Sequence, residues 1–277
     1  MIWALVRASH PGPATAVTLV TVVLAAGIGL DGPRIVLVGA AMLAGQLSIG
    51  WSNDWIDAER DIAVARADKP IASGRVTRRT VGIAAVVALA ASVPLSLGLG
   101  LPAALVNLVG IASGWSYNAA LKRTLASGIP YLVTFGTLPL FVTLSDEPAQ
   151  PATWWALAAG AMLGFGAHFA NVLPDLDDDA RTGVRGLPHA IGRVPSGITA
   201  FVALATASAL AAGGLTVADA RVLPLAIVGL AVTVVVAVGG IAIVVRRPPT
   251  RLLFQLIIVC AIVDVVMLAI AGRAIVA

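Results

Sequence analysis

Apolar stretches of about twenty residues recur along this chain, the length a helix needs to cross a bilayer. They fall at roughly 14–30, 34–53, 80–99, 101–118, 128–144, 152–173, 196–215, 221–245 and 252–272. Gly, Pro or charged residues separate them, most tightly between Gly98 and Pro102, as expected for turns. In hydrocarbon every backbone N–H must find a partner within the protein, which a helix of this length supplies by itself, so each stretch is expected to be a helix. The predicted fold class is all-α: an integral membrane bundle of nine transmembrane helices, forming one domain over residues 1–277. Composition agrees, with 59% hydrophobic and 12% charged residues against about 25% charged in a soluble domain.

Charge placement gives the orientation. Arg7, Arg60, Arg66, Lys69, Arg75, Arg78, Arg79, Lys122, Arg123, Arg181, Arg185, Arg193, Arg246, Arg247 and Arg251 share one face if the N-terminus is cytoplasmic. Only Arg34, Arg221 and Arg273 fall on the other. Short cytoplasmic loops carry such an excess of cations. The expected location is the cell membrane, multi-pass, with the N-terminus and the site's mouth cytoplasmic. The net charge of +4 is read as this bias, and no nucleic-acid partner is expected. Cys260 is the single cysteine, which excludes an intramolecular disulfide. Met1–Pro13 shows no cleavable-leader pattern, so insertion is expected to use the helices themselves.

The acids cluster on that same face. Asn53, Asp57 and Asp61 repeat at i, i+4, i+8 at the end of the second stretch, with Asp54 beside them and Gln46 two turns deeper. Asn171, Asp175 and Asp179 repeat the spacing at the end of the sixth, among Asp177 and Asp178, with His168 one turn deeper. Either motif alone reads as a solvated helix end. Two such motifs at one face read as a site, because carboxylates this dense repel unless cations neutralise them. Oxygen ligands suit Mg2+, which shares one or two carboxylates with substrate phosphates, and a calcium EF-hand loop fits neither motif. Three basic segments reach the same mouth: Asp68-Lys69-Pro70 through Arg75, Tyr117-Asn118 through Lys122-Arg123, and Arg181-Thr-Gly-Val-Arg185. Their cations, with Arg66, would grip diphosphate oxygens; the plainer alternative is topology signal or lipid headgroup contact. Cap segments are expected at about 54–79, 119–127 and 175–195.

These motifs together resemble the UbiA superfamily of intramembrane prenyltransferases: Asn53-Asp54-x-x-Asp57-x-x-x-Asp61, Lys69-Pro70-x-x-Ser73-Gly74, Tyr117-x-x-x-Leu121-Lys122-Arg123 and Asp175-x-x-x-Asp179. The resemblance implies nine helices around a central cavity, and Mg2+ as cofactor. It implies an isoprenoid diphosphate substrate that ionises to an allylic cation, attacked by an aromatic or lipid acceptor. Asp54, Asp57, Asp61, Asp175 and Asp179 would bind metal, with Lys122 counted among the catalytic groups. Asn53, Arg66, Lys69, Tyr117, Arg123, Asn171, Arg181, Arg185 and His168 would bind substrate. The chain departs from the family pattern in Lys69, where Arg is usual, in Asn118 after the tyrosine, and in Gly186-Leu187-Pro188 after the second motif. The Asp61-to-Lys69 spacing looks like the branch of chlorophyll synthase and archaeal lipid synthases. An aromatic acceptor such as a quinone precursor is the leading expectation. Alternatives are a terpene cyclase on the same scaffold, transfer to a glycerol phosphate or other lipid alcohol, and, least favoured, a transporter.

Weaker features remain. Asp264 lies inside the ninth stretch, where an ionisable group is a functional hypothesis by default. His168 and Asn107 would meet an acceptor or pack through interhelical hydrogen bonds. Gly110/Gly114 and Gly160/Gly164 are small-residue pairs that allow close helix approach. Arg7 to Pro11 is placed to cap the cavity mouth.

Overall fold

The computed structural model describes residues 1–176, 183, 185–218, 220–246 and 251–277, with Asp175, Ala218, Ala220, Arg251 and Phe254 described by their backbone alone. Among these residues the regular secondary structure is helical, apart from an isolated bridge between Ala152 and Val276. A short helix α1 (Ile2–Ala8) bends by 66° into α2 (Pro11–Gly27). Pro11 and Pro13 start α2, where a missing N–H costs nothing. Helix α3 (Gly32–Ala63) is capped by Asp31, whose side chain accepts from Arg34 N at 2.8 Å. Then come α4 (Arg78–Leu97), α5 (Leu101–Ala119), the pair α6 (Ile129–Gly136) and α7 (Leu138–Leu144), and α8 (Trp154–Val172). After the second acidic motif follow α9 (Leu187–Ile191), α10 (Arg193–Ala218), α11 (Leu223–Arg246) and α12 (Arg251–Ala271).

The helices close a ring. α3 packs on α2, α4 and α5; α6 joins α5 to α8; α8 packs on α10; α10 packs on α11 and α12; and α12 returns to α2. Side chains from α2, α3, α5, α7, α8, α10 and α12, among them Leu24, Met42, Ala103, Phe141, Trp155, Leu215 and Met267, pack together near the end away from the acids. At that end Arg34 pairs with Glu147, and Arg273 with Asp146 at 3.0 Å. Outward faces of the bundle expose Val36, Ile83, Val87 and Val235, a surface suited to lipid.

By length and composition six described helices can cross a membrane, or seven if the bent pair α1–α2 is one span. The nine expected stretches each carry helix, yet α5 and α8 fall outside that set. The reason is polarity: α5 carries Asn107, Ser113, Ser116, Tyr117 and Asn118, and α8 carries His168 and Asn171.

The second stretch was expected to end near residue 53. The helix instead runs 32 residues to Ala63. At about 1.5 Å per residue it is about 48 Å long, well beyond the about 30 Å hydrocarbon core. No Gly or Pro interrupts 51–63, so α3 lifts its acidic turns out of the hydrocarbon.

Candidate active site

The end of α3 presents Asp54, Asp57 and Asp61, each buried to within 3% of full enclosure. Carboxylates this enclosed require cations or hydrogen bonds, and Arg60 of the same helix and residues of other segments supply them. Asp54 Oδ1 accepts from Lys69 Nζ at 2.7 Å and His10 Nε2 at 2.8 Å. Asp57 Oδ2 accepts from Lys122 Nζ at 2.5 Å and lies 3.3 Å from an Arg60 terminal nitrogen. Arg123 stands 3.8 Å from Asp57 Oδ1, an oxygen without a hydrogen-bond partner among the described residues. Asp61 Oδ1 is 3.3 Å from Arg60. Burial holds the Lys122 ammonium below the ordinary lysine value of 10.5, against the upward pull of Asp57.

Asn53 donates to Asn118 Oδ1 at 3.1 Å, and Asn118 in turn donates to Ile49 O and Ser52 Oγ, each at 2.8 Å. This bonding fastens α3 to α5. Tyr117 meets the Tyr131 ring edge-on at 5.3 Å and the His168 ring at 6.0 Å. Tyr131 stacks on Phe135 at 6.3 Å and accepts from Asn171 at 3.4 Å. An aromatic wall thus links α5, α6 and α8. His168 Nε2 lies 3.1 Å from Ser127 Oγ, which also accepts from Leu187 N at 2.9 Å. Backbone crowding ties the segment after the second motif to the turn after α5: a Cβ on Gly186 would sit 2.8 Å from Lys122 O.

The structure therefore brings Asn53, Asp54, Asp57, Asp61, Lys69, Lys122 and Arg123 into one cluster, with Tyr117, His168 and Asn171 on the adjoining wall. Arg66 is turned to Asp68, donating to both its oxygens at 2.9 and 2.8 Å. That fork holds the Asp68 carboxyl down at about 2. Arg185 is exposed. Asp179 and Arg181, like Asp177 and Asp178, lie outside the described residues, as does the side chain of Asp175. Asn107 is bonded to Ser96 Oγ at 2.8 Å, the packing role weighed for it. Asp264 accepts from Ser208 within α10–α12, away from the cluster.

His10, Arg60, Ser127 and Tyr131 were not among the expected site residues. Arg60 sits within the first motif, where its place on the helix pointed inward. Tyr131 and Ser127 belong to no spacing pattern. His10 belongs to the Arg7–Pro11 segment expected to cap the mouth, but its bond to Asp54, 44 residues away, is visible only in the fold.

Among the described residues no three His, Cys, Asp or Glu form a metal cage by themselves. Mg2+ keeps waters and completes its shell with substrate phosphates. The enclosed, unbonded Asp57 Oδ1 and its neighbours Asp54 and Asp61 fit such partial ligation.

The sequence matches the UbiA prenyltransferase family over residues 14–272. Digeranylgeranylglyceryl phosphate synthase of Methanopyrus kandleri is 34% identical over 197 residues, 68% of this chain and 68% of that protein. The bacteriochlorophyll synthase 33 kDa chain of Cereibacter sphaeroides is 32% identical over 168 residues, 57% of this chain and 55% of that one. A 4-hydroxybenzoate octaprenyltransferase of Citrobacter koseri is 26% identical over 143 residues, 51% of this chain and 50% of that protein. In fold the chain is similar to a UbiA homolog from Archaeoglobus fulgidus solved with GPP and Mg2+: TM-score 0.72, 15% identity, covering 97% of this chain and 99% of that one. With the family match spanning residues 14–272, on a ring of apolar helices, the chain belongs to the UbiA prenyltransferase family and is a multi-pass membrane prenyltransferase.

Proposed function

We propose that the chain transfers a prenyl group from an isoprenoid diphosphate to a hydrophobic acceptor, in a Mg2+-dependent reaction at the cytoplasmic mouth of a single-domain bundle. The observation that carries this reading is the enclosed face of Asp54, Asp57 and Asp61 beneath Lys69 and Lys122. UbiA homologs from Archaeoglobus fulgidus solved with GPP or DMAPP and Mg2+ support it.

Asp54, Asp57 and Asp61 would hold the metal from one side, with Asp175 and Asp179 of the second motif from the other. Bound Mg2+ would supply positive charge against diphosphate oxygens as they gain electrons. Lys69 and Lys122, paired with Asp54 and Asp57, would exchange those partners for phosphate oxygens, joined by Arg123 and Arg66. Arg181 and Arg185 would approach from the second motif. The prenyl C1–O bond breaks with both electrons leaving on diphosphate. The allylic cation left behind would face Tyr117, Tyr131 and Phe135, whose ring faces attract a cation. The acceptor's electron pair then forms the new bond to carbon, and the acceptor gives up its proton. Asn53, Asn171 and His168 would contact acceptor or diphosphate at the edge of that wall.

An aromatic ring, such as a quinone precursor, is the first acceptor reading, since ring carbons attack allylic cations readily. A lipid alcohol such as a glycerol phosphate is the second. It is favoured by the 34% identity to digeranylgeranylglyceryl phosphate synthase and by the Asp61-to-Lys69 spacing.

Purified protein with Mg2+ and labelled geranyl to polyprenyl diphosphates, incubated with aromatic or glycerol-phosphate acceptors, tests the proposal. Acceptor-dependent prenylated product supports transfer and names the acceptor class. Acceptor-free hydrocarbon would indicate a cyclase. Absence of diphosphate release, with Asp54→Ala and Asp57→Ala binding diphosphate as well as wild type, sinks the enzymatic assignment of this site.

A further inference from the structure

The N-terminal segment contributes a residue to the candidate site that no acidic or basic motif predicts. His10 sits between α1 and α2 in the left-handed region, φ 53 and ψ 61. A residue other than Gly held there is strained, and such strain persists only where surrounding structure imposes it. The surroundings are specific. Trp51 Nε1 donates to Leu5 O at 2.8 Å, and Ser9 Oγ donates to Val6 O at 2.7 Å. Ser9 O lies so near Gly50 that a Cβ there would stand 2.0 Å from it. Ala4 and Ala8 are buried with Ala58, Ile71, Val76 and Val81. Helix α1 is thus a strap pressed onto α3 and the first cap, and it delivers the His10 ring to Asp54.

A carboxylate oxygen only accepts, so the 2.8 Å contact between His10 Nε2 and Asp54 Oδ1 is a hydrogen bond in the state that carries a proton on Nε2. Lys69 Nζ binds the same oxygen at 2.7 Å and lies 3.2 Å from His10 Nε2. The two donors approach because they share an acceptor. Lys69 is flexible and charged, and an arriving diphosphate would draw it away from Asp54. His10 would then be the donor still fixing that carboxylate.

We propose that His10 is a positioning residue for Asp54: held by the α1 strap, it orients the carboxylate that receives Mg2+ with the diphosphate. The proposal rests on the reading of Asp54 as a metal ligand. Hydrogen-bond partners behind a ligand typically change metal affinity by about 10- to 100-fold when removed.

The test measures binding of the unreactive analogue geranyl S-thiolodiphosphate to full-length protein as Mg2+ is titrated. His10→Ala is expected to raise the Mg2+ concentration for half-saturation about tenfold, and His10→Gln, which keeps an N–H donor, to restore most of it. Gly50→Ala, which pushes the strap off α3 without touching the cluster, is expected to shift half-saturation in the same direction. Thermal unfolding and gel filtration confirm that each variant is folded. An unchanged Mg2+ midpoint in His10→Ala overturns the proposal. Equal loss in His10→Ala and His10→Gln does so too. Asp54→Ala separates the two levels. If it keeps the wild-type Mg2+ dependence, the metal-ligand reading itself fails. If it loses that dependence while His10→Ala does not, only the role of His10 fails.

Discussion

Lys122 Nζ lies 2.5 Å from Asp57 Oδ2, and both residues are buried. The two come from different parts of the chain, a turn after α5 and the last turns of α3. Removing one member of a buried pair leaves an uncompensated charge, which typically costs about 3–5 kcal/mol, whereas replacing both by apolar groups costs far less. Lys122→Met and Asp57→Leu are each expected to lower the thermal unfolding midpoint more than the double variant does. All three are expected to abolish diphosphate release. Equal unfolding midpoints for the singles and the wild type would show that the pair carries no stability.

The metal requirement follows from the same cluster. Three enclosed carboxylates matched by lysine and arginine hold their charge balance without metal, but a diphosphate adds negative charge that those cations alone do not offset. EDTA is therefore expected to abolish diphosphate release while leaving the protein folded, and Mg2+ to restore it. Ca2+, which prefers more ligands at longer distances, is expected to restore little. Full activity after exhaustive chelation contradicts the proposal.

Two glycines on α8 let α6 approach closely enough to build the aromatic wall. A Cβ at Gly164 would lie 2.5 Å from Tyr131 O and 2.6 Å from Phe135 Cβ, positions that cannot yield without moving the backbone. Overpacking of this kind costs about 1–3 kcal/mol. Gly164→Ala is expected to lower thermal stability by that order and to weaken prenyl diphosphate binding by displacing Tyr131. Gly110→Ala is the control, because the nearest atom to its Cβ is Thr137 Oγ1 at 3.8 Å. Similar losses in both variants would disconnect the effect from close packing.

Orientation is open to direct labelling, since the native Cys260 is buried. Ala67→Cys, in the exposed cap after α3, is expected to react with a membrane-impermeant maleimide only when the cytoplasmic side is opened. Ala149→Cys, exposed near the Arg34–Glu147 pair, is expected to react in intact cells. The reverse pattern would invert the proposed topology.

The sequence by itself determined the membrane class, the approximate helix positions and the residues of the first acidic cluster. Those features depend on local chemistry: apolar length matches bilayer thickness, and a spacing of i, i+4 places Asp57 and Asp61 on one face whatever surrounds them. The continuation of α3 to Ala63 was less legible, because an apolar run ends where hydrocarbon ends while helix propensity continues past it. Tertiary structure alone decided the partners. Lys122 meets Asp57 and His10 meets Asp54, because which cation reaches a carboxylate depends on how α1, α3 and the turn after α5 pack. Tyr131 and Ser127 join the site for the same reason: α6 can lie against α8 where Gly160 and Gly164 leave room, a contact between segments that no spacing within either one encodes.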